Sequence, residues 1–198
     1  MMEKNSQPVG WHSRGYLPHF DGGEISQVIT FRLGDSVSAS VIDRWKQELA
    51  QESDEVRDSL LRRRIETYLD QGYGACHLKE PEVGEKVESS MLHFDGERYR
   101  LRTWVVMPNH AHMLLTPCAG YDLSGIMHSI KSYTANEANR LLKRKGQFWQ
   151  EDYFDRFIRN QSHYESVVAY IENNPVKAKL CERPEDWRFS SAWWRKNR

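Results

Sequence analysis

The stretch Trp104-Val105-Val106-Met107-Pro108-Asn109-His110-Ala111-His112-Met113-Leu114-Leu115 holds two apolar runs separated by a Pro-Asn turn, with a histidine pair opening the second run. In an extended strand, residues i and i+2 project from one face, about 6.6 Å apart along the chain. His110 and His112 therefore aim two imidazoles at a common point, while Ala111 packs the other way. Neutral imidazole titrates near pH ~6.5 and is a common ligand for divalent metals. The plainer reading is a half-exposed strand face, and two ligands hold an ion poorly. A metal site needs a third ligand and a group for the ion to act on, supplied from elsewhere in the chain.

Outward from the histidines, residues 99–107 and 110–116 read as two strands joined at Pro108-Asn109. Residues 25–33 (Ile-Ser-Gln-Val-Ile-Thr-Phe-Arg-Leu) read as another strand. Helices are expected over 37–51, 54–71 and 81–94, with Val37, Val41, Trp45 and Leu49 forming an apolar stripe on the first. In the second, the Arg62-Arg63-Arg64 run could touch phosphate, but among several acidic neighbours it reads as a solvated face. Residues 123–145 form the clearest helix, with Asp122 as N-cap, Lys143-Arg144-Lys145 in the last turn and Gly146 as the stop. Ser162-His-Tyr-Glu165 reads as a capping box opening a helix to about residue 172. Asn173-Asn174-Pro175 is expected to break that helix, with a short helix over 176–180 and an irregular, Trp-rich end to follow.

Composition narrows the class. The 198 residues fit one domain, with no run near the roughly 20 apolar residues of a membrane helix. Cys76, Cys118 and Cys181 are dispersed and odd in number, which argues against a disulfide framework or zinc knuckle and for a reducing cytoplasm. Formal net charge is +0, yet residues 131–198 carry +5 and residues 1–130 carry −5. The basic half also holds Phe148, Trp149, Tyr153, Phe154, Phe157, Trp187, Trp193 and Trp194. Interleaved cations and rings suit a single-stranded nucleic acid, since charges track phosphates and rings stack on bases. Many of these rings are equally expected in the core.

The helix 123–145 offers the missing groups. At about 100° per residue, Tyr133 lies about 90° and Glu137 about 50° from the centre of its apolar stripe, one turn apart on one shoulder. If this helix packs beside the histidine strand, Glu137 completes a two-histidine, one-carboxylate site and Tyr133 stands next to the ion. A bound Mg²⁺ or Mn²⁺ would polarise a phosphate there, so the expected chemistry is phosphodiester transesterification by the tyrosine. Imidazole ligation favours Mn²⁺ in affinity, and cellular abundance favours Mg²⁺.

With these residues in hand, the chain resembles the REP-associated tyrosine transposases, a branch of the single-tyrosine transposases in the HUH endonuclease superfamily. The resemblance runs over residues 14–35 and 95–192. It is carried by Arg14-Gly-Tyr-Leu-Pro-His19, Thr30-Phe-Arg-Leu33, Phe94-Asp-Gly-Glu-Arg-Tyr99, Met107-Pro-Asn-His-Ala-His112 and Lys131-Ser-Tyr-Thr-Ala-Asn136. Phe148-Trp-Gln-Glu-Asp-Tyr-Phe-Asp-Arg156, Tyr170-Ile-Glu-Asn-Asn-Pro-Val-Lys177 and Pro184-Glu-Asp-Trp187 extend it.

The resemblance implies a ferredoxin-like α+β fold, an antiparallel sheet with helices packed on one face. It implies single-stranded DNA cleavage through a 5′-phosphotyrosine link, on hairpin-forming repetitive extragenic palindromes with a short flanking tetranucleotide. By position, His110 and His112 become metal ligands and Tyr133 the nucleophile. Related transposases take a third ligand one helical turn after the tyrosine, commonly an amide; here that position is Glu137, with Asn136 as the nearby alternative. For DNA contacts the expectation is Arg14, Tyr16 and His19 for flanking bases, Lys131, Arg156 and Arg159 for phosphates, and Phe148 or Trp149 for stacking.

The expected organisation is an N-terminal DNA-contacting arm (1–24), a catalytic domain (25–160) with a helical insertion (36–94), and a C-terminal helical extension (161–198). The expected setting is the bacterial cytoplasm, at the nucleoid and away from membranes. The expected form is a monomer or a homodimer, since relatives include both. Two readings compete with the transposase: a cleavage-inactive module that only binds the same repeats, and a metal hydrolase of an unrelated small substrate.

Overall fold

The computed structural model describes residues 10–13 and 18–198. In chain order its elements are β1 (Gly10–Ser13), β2 (Pro18–Asp21), β3 (Gln27–Arg32), α1 (Ala39–Glu48), α2 (Asp54–Leu69), α3 (Pro81–His93), β4 (Tyr99–Val106) and β5 (His110–Pro117). There follow α4 (Leu123–Leu141), β6 (Phe154–Phe157), α5 (Gln161–Lys177) and α6 (Ser191–Lys196). The main sheet has the order β4-β5-β3-β6 and is antiparallel throughout. With α3 between β3 and β4, and α4 between β5 and β6, this is the ferredoxin-like α+β arrangement expected. β1 and β2 form a separate hairpin that borders β6.

β5 is buried along nearly its whole length, so its two faces serve two different cores. Its odd positions, Ala111, Met113 and Leu115, join Ile29, Phe31, Leu33, Trp104 and Val106 under α3 and α4. On that side α3 supplies Val83, Val87 and Met91, and α4 supplies Ile126, Met127, Ile130 and Ala138. The even positions face the other way, where Leu114 packs with Val105, Met107, Val167 and Ile171 beneath α5. Helices thus cover both faces, which adds a layer to the single helical face expected. α1 and α2 close a third cluster through Leu49, Leu61, Ile65, Leu69 and Phe154.

α5 departs most from expectation. It is capped by Asn160, whose side chain accepts from the His163 amide at 2.8 Å, so Ser162 lies inside the helix. It then runs unbroken through Asn174 and Pro175 to Lys177. Pro175 stands in the last turn, where its ring meets one carbonyl, that of Ile171, rather than interrupting a long ladder. Full burial of Ile171 offsets that single loss. β6 was unforeseen because it is only four residues long, and the Trp-rich end carries α6, capped by Ser190. Among the described residues no helix is long and apolar enough to cross a membrane.

Candidate active site

Directly paired residues of an antiparallel sheet share a face, and one row crosses four strands here: Val105, His112, Thr30 and Phe154. His110 and His112 are each 1% exposed on this face. Their Nε2 atoms lie 3.1 Å apart. His110 Nδ1 meets Asn109 Oδ1 at 2.7 Å, while the Asn109 amide nitrogen donates to the carbonyls of Leu69 and Tyr73. That assignment makes His110 Nδ1 a donor and leaves its Nε2 lone pair bare. His112 Nδ1 contacts the Thr30 hydroxyl at 2.7 Å. Burial pushes both imidazoles down, His110 well below the usual range and His112 to about 3, with Lys177 adding to the effect. Both are therefore neutral at physiological pH, the form that ligates metals.

α5 lies over these nitrogens and carries Tyr170 and Asn174, four residues apart and so on one helical face. The Asn174 amide nitrogen is 3.3 Å from His112 Nε2, and its amide oxygen is buried without a hydrogen bond. The Tyr170 ring stands 5.3 Å from the His112 ring, edge-on. Two converging imidazole Nε2 atoms and an unsatisfied amide oxygen fit a divalent ion; turning the amide about its axis presents that oxygen to the histidines. Among the described residues no cluster of three or more His, Cys, Asp or Glu groups is placed to hold a metal, and the Asn174 amide is the further oxygen donor beside the histidine pair.

Tyr170 opens into a cleft of about 230 Å³ lined by Thr30, Arg62, Glu66, Arg156 and His163. Burial raises the Tyr170 phenol above its ordinary value, with Glu66 and Asp70 adding to the rise, while Asn174 and Arg156 oppose it. Lys177, the last residue of α5, is held by Asp70 of α2 at 2.6 Å and lies 5.8 Å over the Tyr170 ring. Arg159 continues the basic path beyond Arg156, beside the α5 N-terminus.

The residues expected from the long helix are not here. Tyr133 and Glu137 sit on α4, which covers the opposite face of the sheet from the histidines. Tyr133 is 49% exposed in a groove with Ser89, His93 and Phe94, and Glu137 pairs with Arg140 at 2.9 Å, which holds its carboxyl below the usual range. Asn136 lines a cleft on the α4 side as well. His19 is buried, clamped between Asp152 and Asp155, and not free to read bases. Lys131 donates to the Glu151 carbonyl in the same neighbourhood, and burial lowers its ammonium to about 8. Phe148 and Trp149 are core residues, and Trp149 donates to Thr134 at 2.9 Å. Of the expected DNA contacts, Arg156 lines the cleft and Arg159 an adjoining surface pocket, while Arg14 and Tyr16 lie outside the described residues.

Tyr170, Asn174, Glu66 and Lys177 carried no site expectation, and Arg62 entered only within a run read as a solvated face. The signal for the first two was present: a tyrosine followed four residues later by an amide, in a capped helical stretch. An expected break at Asn173-Asn174-Pro175 removed Asn174 from the helical phase of Tyr170.

Residues 80–174 match the family of IS200-like transposases. A REP-associated tyrosine transposase of Escherichia coli (strain K12) is 33% identical over 94 residues, 47% of this chain. The alignment spans 54% of that relative's length. The structure of a REP-associated tyrosine transposase bound to a REP hairpin superposes with a TM-score of 0.55 at 20% identity, covering 94% of this chain and 85% of the other. The chain therefore resembles the REP-associated tyrosine transposases in sequence and shares their fold, with the IS200-like transposase match carried by residues 80–174.

Proposed function

We propose that this chain is a metal-dependent single-strand DNA endonuclease and strand transferase acting on hairpin DNA of the REP type, with Tyr170 as nucleophile and His110, His112 and Asn174 as metal ligands. The observation that carries this reading is the convergence of His110 Nε2, His112 Nε2 and the Asn174 amide within 3.3 Å contacts, beside Tyr170. A bound Mg²⁺ or Mn²⁺ supplies Lewis acidity to the scissile phosphate. Tyr170 Oη forms the new bond to phosphorus, its proton is lost to water, and the phosphorus–O3′ bond breaks. The departing 3′ oxygen is protonated, leaving a 5′-phosphotyrosine whose ester energy permits rejoining. Arg156 and Lys177 bring positive charge to the side of the cleft where negative charge builds. Asn109 sets the tautomer of His110 through Nδ1, and the Thr30 hydroxyl orients the His112 ring through its Nδ1.

The test is a labelled hairpin oligonucleotide incubated with Mn²⁺ and resolved on a denaturing gel. A covalent protein–DNA band is expected from wild type and from Tyr133→Phe, and is expected to vanish in Tyr170→Phe with hairpin binding retained. A band that survives Tyr170→Phe and disappears in Tyr133→Phe overturns the assignment. Absence of any band from wild type, with binding intact, favours the binding-only module.

A further inference from the structure

The stretch matched to the transposase family begins at residue 80, so α2 lies wholly outside it. Yet Arg62, Glu66 and Asp70, spaced by four and hence along one stripe of α2 and its cap, all face the site just described. Asp70 ties α2 to Lys177, and Arg62 and Glu66 line the Tyr170 cleft. The Arg62 guanidinium stands 5.6 Å over the Phe154 ring, which orients it, and its buried Nε has no hydrogen-bond partner. Across the cleft is Arg156, on the sheet row next to Phe154. Among the described residues neither arginine has a carboxylate within ion-pair distance.

Two guanidiniums lining one cleft, Arg62 partly buried and Arg156 exposed, repel one another, an arrangement that an anion between them relieves. Burial lowers Arg62 from its ordinary range and Arg156 adds to that, while burial raises the Glu66 carboxyl and weakens it as a neutralising partner. Arginine's planar fork matches phosphate oxygens two at a time.

We propose that Arg62 of α2 is a phosphate-binding residue of this site, which with Arg156 clamps one backbone phosphate of a single-stranded DNA beside Tyr170. The proposal rests on the transposase reading for the identity of the strand, and on the cleft alone for the phosphate. The helical insertion is then part of the active site and not only a cap on the sheet. Arg63, its exposed neighbour, takes no part.

Hairpin binding measured by fluorescence anisotropy over a salt series, in the Tyr170→Phe background, reads the clamp directly. Arg62→Ala is expected to weaken binding about tenfold and to reduce the log–log salt slope by about 0.7, the value of one single-strand phosphate contact. Arg62→Lys keeps the slope but not the full affinity, and Arg63→Ala changes neither. Calorimetry with pyrophosphate separates the clamp from the transposase reading. Pyrophosphate binding by wild type that is lost in Arg62→Ala supports the clamp even if no hairpin binds, and that second result sinks the transposase reading instead. A salt slope unchanged in a normally folded Arg62→Ala, with pyrophosphate binding absent or indifferent to Arg62, overturns the proposal. Should Arg62→Ala misfold, full wild-type affinity for both probes in Arg62→Lys overturns it equally.

Discussion

Each histidine of the pair has one nitrogen committed to the protein, His110 Nδ1 to Asn109 and His112 Nδ1 to Thr30, which points both Nε2 atoms at the same space. Such outer contacts set ring orientation and ligand basicity, and their loss commonly costs about 10–100-fold in metal affinity. Thr30→Val keeps the shape of the side chain and removes the hydroxyl. It is expected to weaken Mn²⁺ binding within that range, measured by calorimetry, and unaltered affinity would show that Thr30 does not hold His112. Asn174→Ala is expected to lose more than Thr30→Val, because it removes a donor atom rather than its support. His112 itself was legible from the sequence, since the two-residue period of a strand fixes which side chains share a face. Tyr133 and Glu137 lie away from the histidines for a different reason: helical periodicity tells which residues share a shoulder, and does not tell which face of a sheet the helix will cover.

α5 is the element on which the site depends. Its buried edge, Val167 and Ile171, packs on Val105, Met107 and Leu114, and this packing sets the height of Tyr170 and Asn174 above the histidines. Ile171→Ala is expected to destabilise the fold by about 2–5 kcal/mol, as other large-to-small core changes do. Denaturant melts measure this, and a change below about 1 kcal/mol would mean the face is loosely packed. Proline chemistry correctly marks Pro175 as unfit for a helix interior, and only the tertiary position of that last turn makes it harmless. The β1–β2 hairpin is held by another contact, in which His19 hydrogen-bonds Asp152 and Asp155 and the Phe20 amide donates to Asp155 at 2.9 Å. Burial alone lowers His19, but the two carboxylates outweigh it and lift the imidazole to about 9. Because the folded value exceeds the unfolded one of 6.5, this contact stabilises fully below about pH 6.5 and is lost as pH rises through about 9. The protection factor of the Phe20 amide in hydrogen exchange should therefore fall across that upper window, and His19→Gln should flatten the fall.

At the scale of the whole molecule, the sheet separates two jobs. Its α3/α4 side holds the larger apolar core, and its α5 side gives up apolar area to hold His110, His112, Thr30 and Arg156. The alternation of β5 encoded that separation in the sequence, whereas the wall that α2 adds showed only as an arginine run among acidic residues, because Arg62, Glu66 and Asp70 look like ordinary surface charges until their neighbours are known. The histidine pair on β5, Tyr170 on α5 and the α2 wall all belong to a single polypeptide. A site assembled this way has a rate proportional to protein concentration, with no assembly step to titrate. Turnover per molecule on the hairpin substrate should stay constant from micromolar to nanomolar protein, and a decline on dilution would reveal a contribution from a second copy.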